Sequence, residues 1–339
     1  MSSLDIGIDL GTANVIITLG GKGIVINEPS VVAYDRKKQE VVAVGLEAYK
    51  MIGRTPEYIV AVRPLQDGVI SDNDMTEVMI HEFIKKVKGS VVLKPQIILC
   101  VPSSVTDVEK RAVIEAALSA GSRKVWLIEE PIAALLGAGV DITLPGGKMV
   151  VDIGGGTADI AVVSFNGIVH SESIKMAGNK FDASIIRYVN QKFKLLIGEK
   201  TAEMAKKQIT NVFDPDGSRK MDAKGRNLVD GLPSRVEITD IDMEKALRED
   251  VSTLISAIKD VFEKTPPELV GDILVNGIIM TGGGAMLGGL PQLITHALRV
   301  PCYVADNPIE CVARGVAKAF SCSDQLLDGF ELVSVYKYK

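Results

Sequence analysis

Two stretches far apart in this sequence are built alike, and nothing else in the chain narrows its possible folds as much. Residues 149–163 read MVVDIGGGTADIAVV: an apolar run ends on Asp152, the chain turns through Gly154, Gly155, Gly156 and Thr157, and a second apolar run leaves at Ile160. Residues 6–19 read IGIDLGTANVIITL, with the same order of apolar run, Asp9, Gly11, Thr12 and apolar run. β-Branched runs on either side of a glycine turn form hairpins. Glycine lets backbone N–H groups come close to a bulky anion. A carboxylate at the end of the first strand suits a divalent metal that neutralises the same anion. Either stretch alone reads better as a plain glycine hairpin with a satisfied aspartate. Their repetition predicts two related domains facing each other. Such hairpins would close on the phosphates of one nucleotide from opposite sides, with Asp9 and Asp152 near the metal.

The chain has room for two domains: 339 residues, 47% of them hydrophobic, are enough for two cores. A formal net charge of −5 argues against a dedicated nucleic-acid binder, which needs a basic face. Cys100, Cys302, Cys311 and Cys322, like His81, His170 and His296, have no metal-ligand spacing, so structural thiols in a reduced cytosol are expected and zinc is not. The first residues enter a strand without a basic run, so no signal peptide is expected. Residues 273–295 carry no charge and are long enough to span a bilayer. Asn276, the glycines at 282–284, Gly288, Gly289 and Pro291 interrupt them and favour a buried strand, a turn and a short helix.

Between these landmarks short buried strands alternate with helices, the mark of a layered α/β domain. A helix is expected over 74–87, a strand over 97–101, and a helix from the capping box Thr106-x-x-Glu109 to Gly121. A strand over 125–128 leads into Glu129–Glu130–Pro131 and the small-residue helix IAALLGAG, which leaves Glu130 at a strand-to-helix junction. The expected division is 1–145 and 146–307, with a hinge at LPGG (144–147) and a final helix, within 308–339, that returns to the first domain. Peripheral insertions are expected at about 33–66 and about 181–240, the second including a polar hairpin over 214–239. A long amphipathic helix over 241–263 is stopped by Pro266–Pro267, after which the chain returns to a core strand at 277–281.

Three glycine-rich sites recur: 11–14, 154–157 and 282–285. The third is read as opening a helix after a strand, where free N–H groups and the helix dipole favour a phosphate or the ribose and adenine edge. None has the Gly-Lys-Ser/Thr ending of a P-loop, and no Gly-x-Ser-x-Gly elbow is present. Hydrolysis needs a residue that orients water. Glu130 is the candidate to polarise it and Thr157 to position it, although Glu130 reads equally as a helix-start carboxylate favoured by the dipole. Val91, Val92 and Leu93, an apolar trio between Lys88 and Lys94, could dip into an anionic bilayer; the alternative is a loop that packs on its own domain.

The paired hairpins resemble the actin, Hsp70 and sugar-kinase superfamily of ATPases. Within it the chain is similar to the MreB family of bacterial actin homologues, including its Mbl-type paralogues. Four stretches carry the likeness: DLGTAN at 9–14 followed by GKGIVINEPSVVA at 21–33, GRNLVDGLPSRVEIT at 225–239, EKTPPEL at 263–269, and GIIMTGGGAMLGGL at 277–290. The resemblance implies an actin-like ATPase fold of two RNase-H-like domains, each with a small peripheral subdomain, and ATP or ADP with Mg2+ in the interdomain cleft. By matching motifs, Gly11, Thr12, Ala13 and Asn14 and the segment Gly154, Gly155, Gly156 and Thr157 contact phosphates. Glu203 and Lys206 contact ribose and adenine, and Gly282, Gly283, Gly284 and Ala285 complete the site. Glu130 and Thr157 match the water-activating pair, and Val91–Leu93 the membrane-insertion loop. The family implies antiparallel double filaments on the inner face of the cytoplasmic membrane, working with membrane proteins of the wall-elongation machinery or, in wall-less cells, in shape and swimming. The chain departs from the family pattern at Ala158–Asp159, where Thr-Glu is common, and at Ile273–Leu274–Val275–Asn276, where a charged pair is usual.

The resemblance also sets the rivals. A sugar or small-molecule kinase of the same superfamily would need a sugar pocket with a catalytic base. An Hsp70-type chaperone would need a substrate-binding domain that this length does not hold. A filament scaffold that binds ATP without hydrolysing it fits poorly with the retention of Glu130 and Thr157.

Overall fold

The computed structural model describes residues 5–66, 68–88, 94–322 and 330–333. The two repeats do form hairpins, and each nucleates a sheet of the same plan. Strand Asp5–Leu10 pairs antiparallel with Asn14–Leu19, which pairs antiparallel with Gly23–Pro29. On its other side Asp5–Leu10 is parallel to Gln96–Val101, itself parallel to Lys124–Glu129, and Phe330–Val333 closes the edge of this six-stranded sheet. In the second sheet Lys148–Ile153 pairs antiparallel with Ala158–Ser164 and the latter with Gly167–Ile174. Lys148–Ile153 is also parallel to Ile278–Thr281, which is parallel to Cys302–Val304. The central strands are apolar on both faces because helices cover both sides.

Helices Glu130–Gly137 and Cys311–Cys322 join the sheets. Their shared core takes Ile98 and Ile128 from the first sheet, Val150, Ala161 and Val163 from the second, and Ala134, Val312 and Val316 from the helices. The two helices approach so closely that a Cβ on Gly315 would lie 1.7 Å from the Ala133 carbonyl oxygen, and one on Gly137 1.7 Å from that of Cys311. Small residues in IAALLGAG are thus the condition for the contact. Two smaller sheets lie apart from the large ones: Glu40–Val44, Val32–Asp35 and Ile59–Val62 with helix Leu46–Met51, and Leu195–Leu196 with the hairpin Lys220–Asn227 and Pro233–Thr239.

The capping box at Thr106 is present: its hydroxyl accepts the Glu109 N–H at 3.3 Å and its own N–H donates to Glu109 Oε2 at 2.9 Å. An equivalent box at Thr239 and Asp242 starts the long helix Asp240–Lys264. Two expectations need correction. The chain does not pass directly from Pro266–Pro267 to a strand; Pro267 opens a further helix, Pro267–Asn276, because proline's fixed φ and missing N–H suit a first turn. Ile273, the first residue of the uncharged stretch, belongs to that helix. The third glycine turn opens only a single 3-10 turn, Gly283–Met286, before the separate helix Leu290–Leu298. No helix among the described residues is long and apolar enough to cross a membrane.

Candidate functional site

The turns of the two hairpins meet across a cavity of about 1330 Å3 lined from both halves of the molecule. A Cβ on Gly155 would lie 2.7 Å from the Ala13 Cβ and 3.1 Å from its backbone nitrogen, so the second turn can press on the first only as glycine. Each turn is braced from behind. Ser30 donates its hydroxyl to the Gly11 carbonyl at 2.5 Å and its N–H to the Ala13 carbonyl at 3.0 Å. The Gly178 and Asn179 N–H groups, at the start of helix Gly178–Phe193, donate to the Gly154 and Gly155 carbonyls at 3.2 and 2.8 Å. The Asn14 side chain runs along its sheet and donates to Asn27 Oδ1 at 2.8 Å.

Behind the turns lies a set of acids. Asp9 ends the strand of the first hairpin, and Asp152 holds the equivalent place in the second, 4% exposed and accepting the Thr281 hydroxyl at 2.5 Å. Burial pushes the Asp9 carboxyl up to about 8, and the Asp152 charge adds to it. Burial lifts Asp152 to about 7, against the hydrogen bond from Thr281 and with the Asp159 charge. Glu130, at the head of the central helix, is pushed well above the ordinary carboxylate range by burial and then by the charges of Asp159, Asp152 and Asp9. Thr157, 7% exposed, sits at the exit of the second turn.

Such a set fits a hard divalent cation. Asp9 and Asp152 are oxygen donors whose protonation is favoured by burial and by neighbouring acid charges, both of which a cation beside them would offset. Among the described residues no group of three or more His, Cys, Asp or Glu converges as a metal site. A cation there would complete its shell with phosphate oxygens and water, the habit of Mg2+.

The remaining predicted residues divide. Glu203 and Lys206 both line the cavity from helix Glu199–Ile209. The Lys206 ammonium donates to Asp182 Oδ2 and to the Gly178 carbonyl, each at 2.9 Å, and Glu203 pairs with Lys207 at 2.7 Å. Gly282, Gly283 and Gly284 line the cavity, with Gly284 pressed on the Ile153 side chain. Ala285 is 1% exposed and packs into the core of the second sheet instead. Val91, Val92 and Leu93 lie outside the described residues.

Sequence reasoning missed several lining residues. The short hairpin of Leu65–Gln66 and Val69–Ile70 brings Gly68 between the two threonines. Its N–H donates to Thr12 Oγ1 at 3.1 Å, and a Cβ on it would lie 2.3 Å from the Thr157 methyl. Across the mouth Arg63 pairs with Glu199 at 3.6 Å, and the Lys200 ammonium lies 4.4 Å from the centre of the Tyr49 ring. These contacts join segments distant in the chain, and no local pattern announces them.

Two like-built sheets hinged on a pair of helices, with glycine turns meeting over buried acids, define an actin-like protein. The chain belongs to the MreB/Mbl family, whose sequence model, described as MreB/Mbl protein, matches residues 3–328. It is 52% identical to the cell shape-determining protein Mbl of Bacillus subtilis over 328 residues, 96% of this chain and 98% of that one. It is 45% identical to the cell shape-determining protein MreB of Escherichia coli over 330 residues, 96% and 95% of the two chains. Among solved structures it is similar to MreB5 of Spiroplasma citri. The form bound to AMPPNP has a TM-score of 0.89 at 36% identity, and the form bound to ADP 0.90 at 37%, each covering 96% of this chain and 98% of the other. Membership of this family of cell shape-determining proteins leaves the sugar or small-molecule kinase without support.

Proposed function

We propose that this chain is a filament-forming ATPase that binds ATP in the cleft, assembles with copies of itself on the inner face of the cytoplasmic membrane and supports cell shape. The observation that carries the reading is the meeting of the Gly155 and Ala13 turns over Asp9 and Asp152. Backbone N–H groups of Gly11–Asn14 and Gly154–Thr157 would take the phosphate oxygens from opposite sides. Asp9 and Asp152 would hold Mg2+, which neutralises charge on the phosphates. Glu203 and Lys206 would face ribose and adenine, and Gly282–Gly284 would close the remaining side. Thr157 would position the attacking water and Glu130 would accept its hydrogen bond. The AMPPNP-bound and ADP-bound forms of MreB5 support a nucleotide in this cleft.

Assembly is supported by exposed apolar side chains on separate parts of the second half: Val229 (83% exposed) with Leu232 on one hairpin tip, and Val275 (80%) with Leu274 at a helix end. Patches of this kind mark protein contacts, and two different ones suit a head-to-tail repeat. Val91, Val92 and Leu93 between Lys88 and Lys94 would carry membrane contact, and membrane proteins of the elongation machinery would be the further partners.

One assay tests both halves: ATP-dependent sedimentation with phosphate release, for wild type and Glu130→Ala, with and without anionic liposomes. Pelleting with ATP, release slowed about 100-fold or more in Glu130→Ala, and loss of liposome binding when the 91–93 trio is changed to serine are expected. A protein that stays soluble with ATP, or a Glu130→Ala variant that releases phosphate as fast as wild type, would overturn the reading.

A further inference from the structure

Asp159 has no part in the scheme above, yet its setting is unusual. In the first hairpin Asp9 stands opposite Ile16, and in the second Asp152 stands opposite Asp159. The same number of residues separates the two members of each pair. The first repeat therefore shows what packing alone asks for at this position: Ile16, 2% exposed. The second puts a carboxyl there with 1% exposure, a costly choice unless its oxygens are used.

One of them is used across the junction of the two halves. Asp159 Oδ1 accepts the backbone N–H of Ser103 at 3.2 Å, and Ser103 lies in the loop that follows strand Gln96–Val101 of the first sheet. Asp159 Oδ2 has no hydrogen bond among the described residues, and the carboxyl lies beside the side chains of Glu130, Ser173 and Thr157. Glu130 directly follows a first-sheet strand, at the head of the central helix, whereas Thr157 rides on the second hairpin, two residues before Asp159. A shift of one sheet against the other would separate Glu130 from Thr157 unless a side chain ties them.

We infer that Asp159 is a positioning residue: anchored on the Ser103 amide, it holds the Glu130 carboxyl in register with Thr157 and the phosphate-binding turn of the second hairpin. The inference rests on the reading of Glu130 as the residue that polarises water. A displacement of about 1 Å in such a group costs on the order of 100-fold in rate.

The test uses the full chain and four variants: Glu130→Ala, Asp159→Ala, Asp159→Asn and the Glu130→Ala/Asp159→Ala double. Single-turnover phosphate release and ATP affinity are measured on each. Amide exchange of residues 102–106 is measured on the nucleotide-free protein. Asp159→Ala should slow release about 10- to 100-fold, leave ATP affinity within about twofold of wild type, and speed exchange at the Ser103 amide. Asparagine can still accept from Ser103 and donate to Glu130, so Asp159→Asn should restore both the protection and most of the rate. The double variant should be no slower than Glu130→Ala if, as inferred, Asp159 acts by holding that residue.

If Glu130→Ala is as fast as wild type, the underlying reading fails and this inference with it. If Glu130→Ala is slow and Asp159→Ala is not, the inference alone fails. It is also overturned if Asp159→Ala no longer folds or binds ATP, if Asp159→Asn is as slow as Asp159→Ala, or if the double variant loses both factors in full.

Discussion

Asp9 and Asp152 are strand-end acids in equivalent places of the two repeats, and each is buried against other acids rather than against a base. Their carboxyls, raised to about 8 and about 7, hold protons that the unfolded chain has already released near its ordinary value. The native state therefore binds more protons than the unfolded one between these limits, and stability must fall as pH rises through that interval. In nucleotide-free protein the thermal midpoint is expected to drop between about pH 5 and about pH 8. Mg-ATP should flatten the profile, because a cation beside the pair stabilises the ionised carboxylates against their burial. A midpoint that rises over the same range in nucleotide-free protein would show that these acids are not buried together. Thr281, whose hydroxyl donates to Asp152, opposes the shift, and a valine there would push it further.

At the scale of elements, the contact between helices Glu130–Gly137 and Cys311–Cys322 sets the geometry of everything in front of it, because Glu130 is the first residue of one of them. Gly315→Ala would place a methyl group 1.7 Å from the Ala133 carbonyl oxygen, so the helices must part. A loss of about 3 kcal/mol is expected. Gly271→Ala is the control: nothing lies within 4 Å of its added Cβ, and relief of glycine's entropy in helix Pro267–Asn276 should stabilise by about 0.5 kcal/mol. Urea midpoints read both, and a Gly315→Ala midpoint equal to wild type would dismiss the close contact.

Much of this layer was legible. The apolar runs around Asp9 and Asp152, the capping box at Thr106 and the proline after Glu130 are local signals, and the structure has the elements they announce. Failures came where a local signal has two meanings or where partners are distant. Pro266–Pro267 reads as a stop, but proline at a first helical turn is also a start. The glycines at 282–284 read as a helix opening, yet Gly282 has φ +78° and Gly284 abuts Ile153, which leaves space for one 3-10 turn only. Gly68 reaches Thr12 and Thr157 through tertiary approach alone. Lys206 was placed at the nucleotide by the family resemblance alone, and it lines the cavity, but nothing local announced its ion pair with Asp182.

On the scale of the whole molecule, two sheets of one plan share a narrow floor. That floor is the helix pair and the Ser103–Asp159 hydrogen bond; the mouth is bridged by Arg63 with Glu199 and by Lys200 over Tyr49. Both mouth contacts are exposed or half-exposed, and contacts of that kind contribute about 1 kcal/mol or less. The cleft is thus firmly held at its base and weakly held at its rim, which suits a site that must admit a nucleotide and close over it. The central claim is that the paired turns and the paired acids form one Mg-nucleotide site. Equilibrium titration with a fluorescent ATP analogue, in Mg2+ and in EDTA, tests it on wild type and Asp152→Ala. Tight binding in Mg2+, weakened about tenfold or more both by EDTA and by the substitution, is the expected result. Binding that is absent in wild type, or equal in all four conditions, would contradict it.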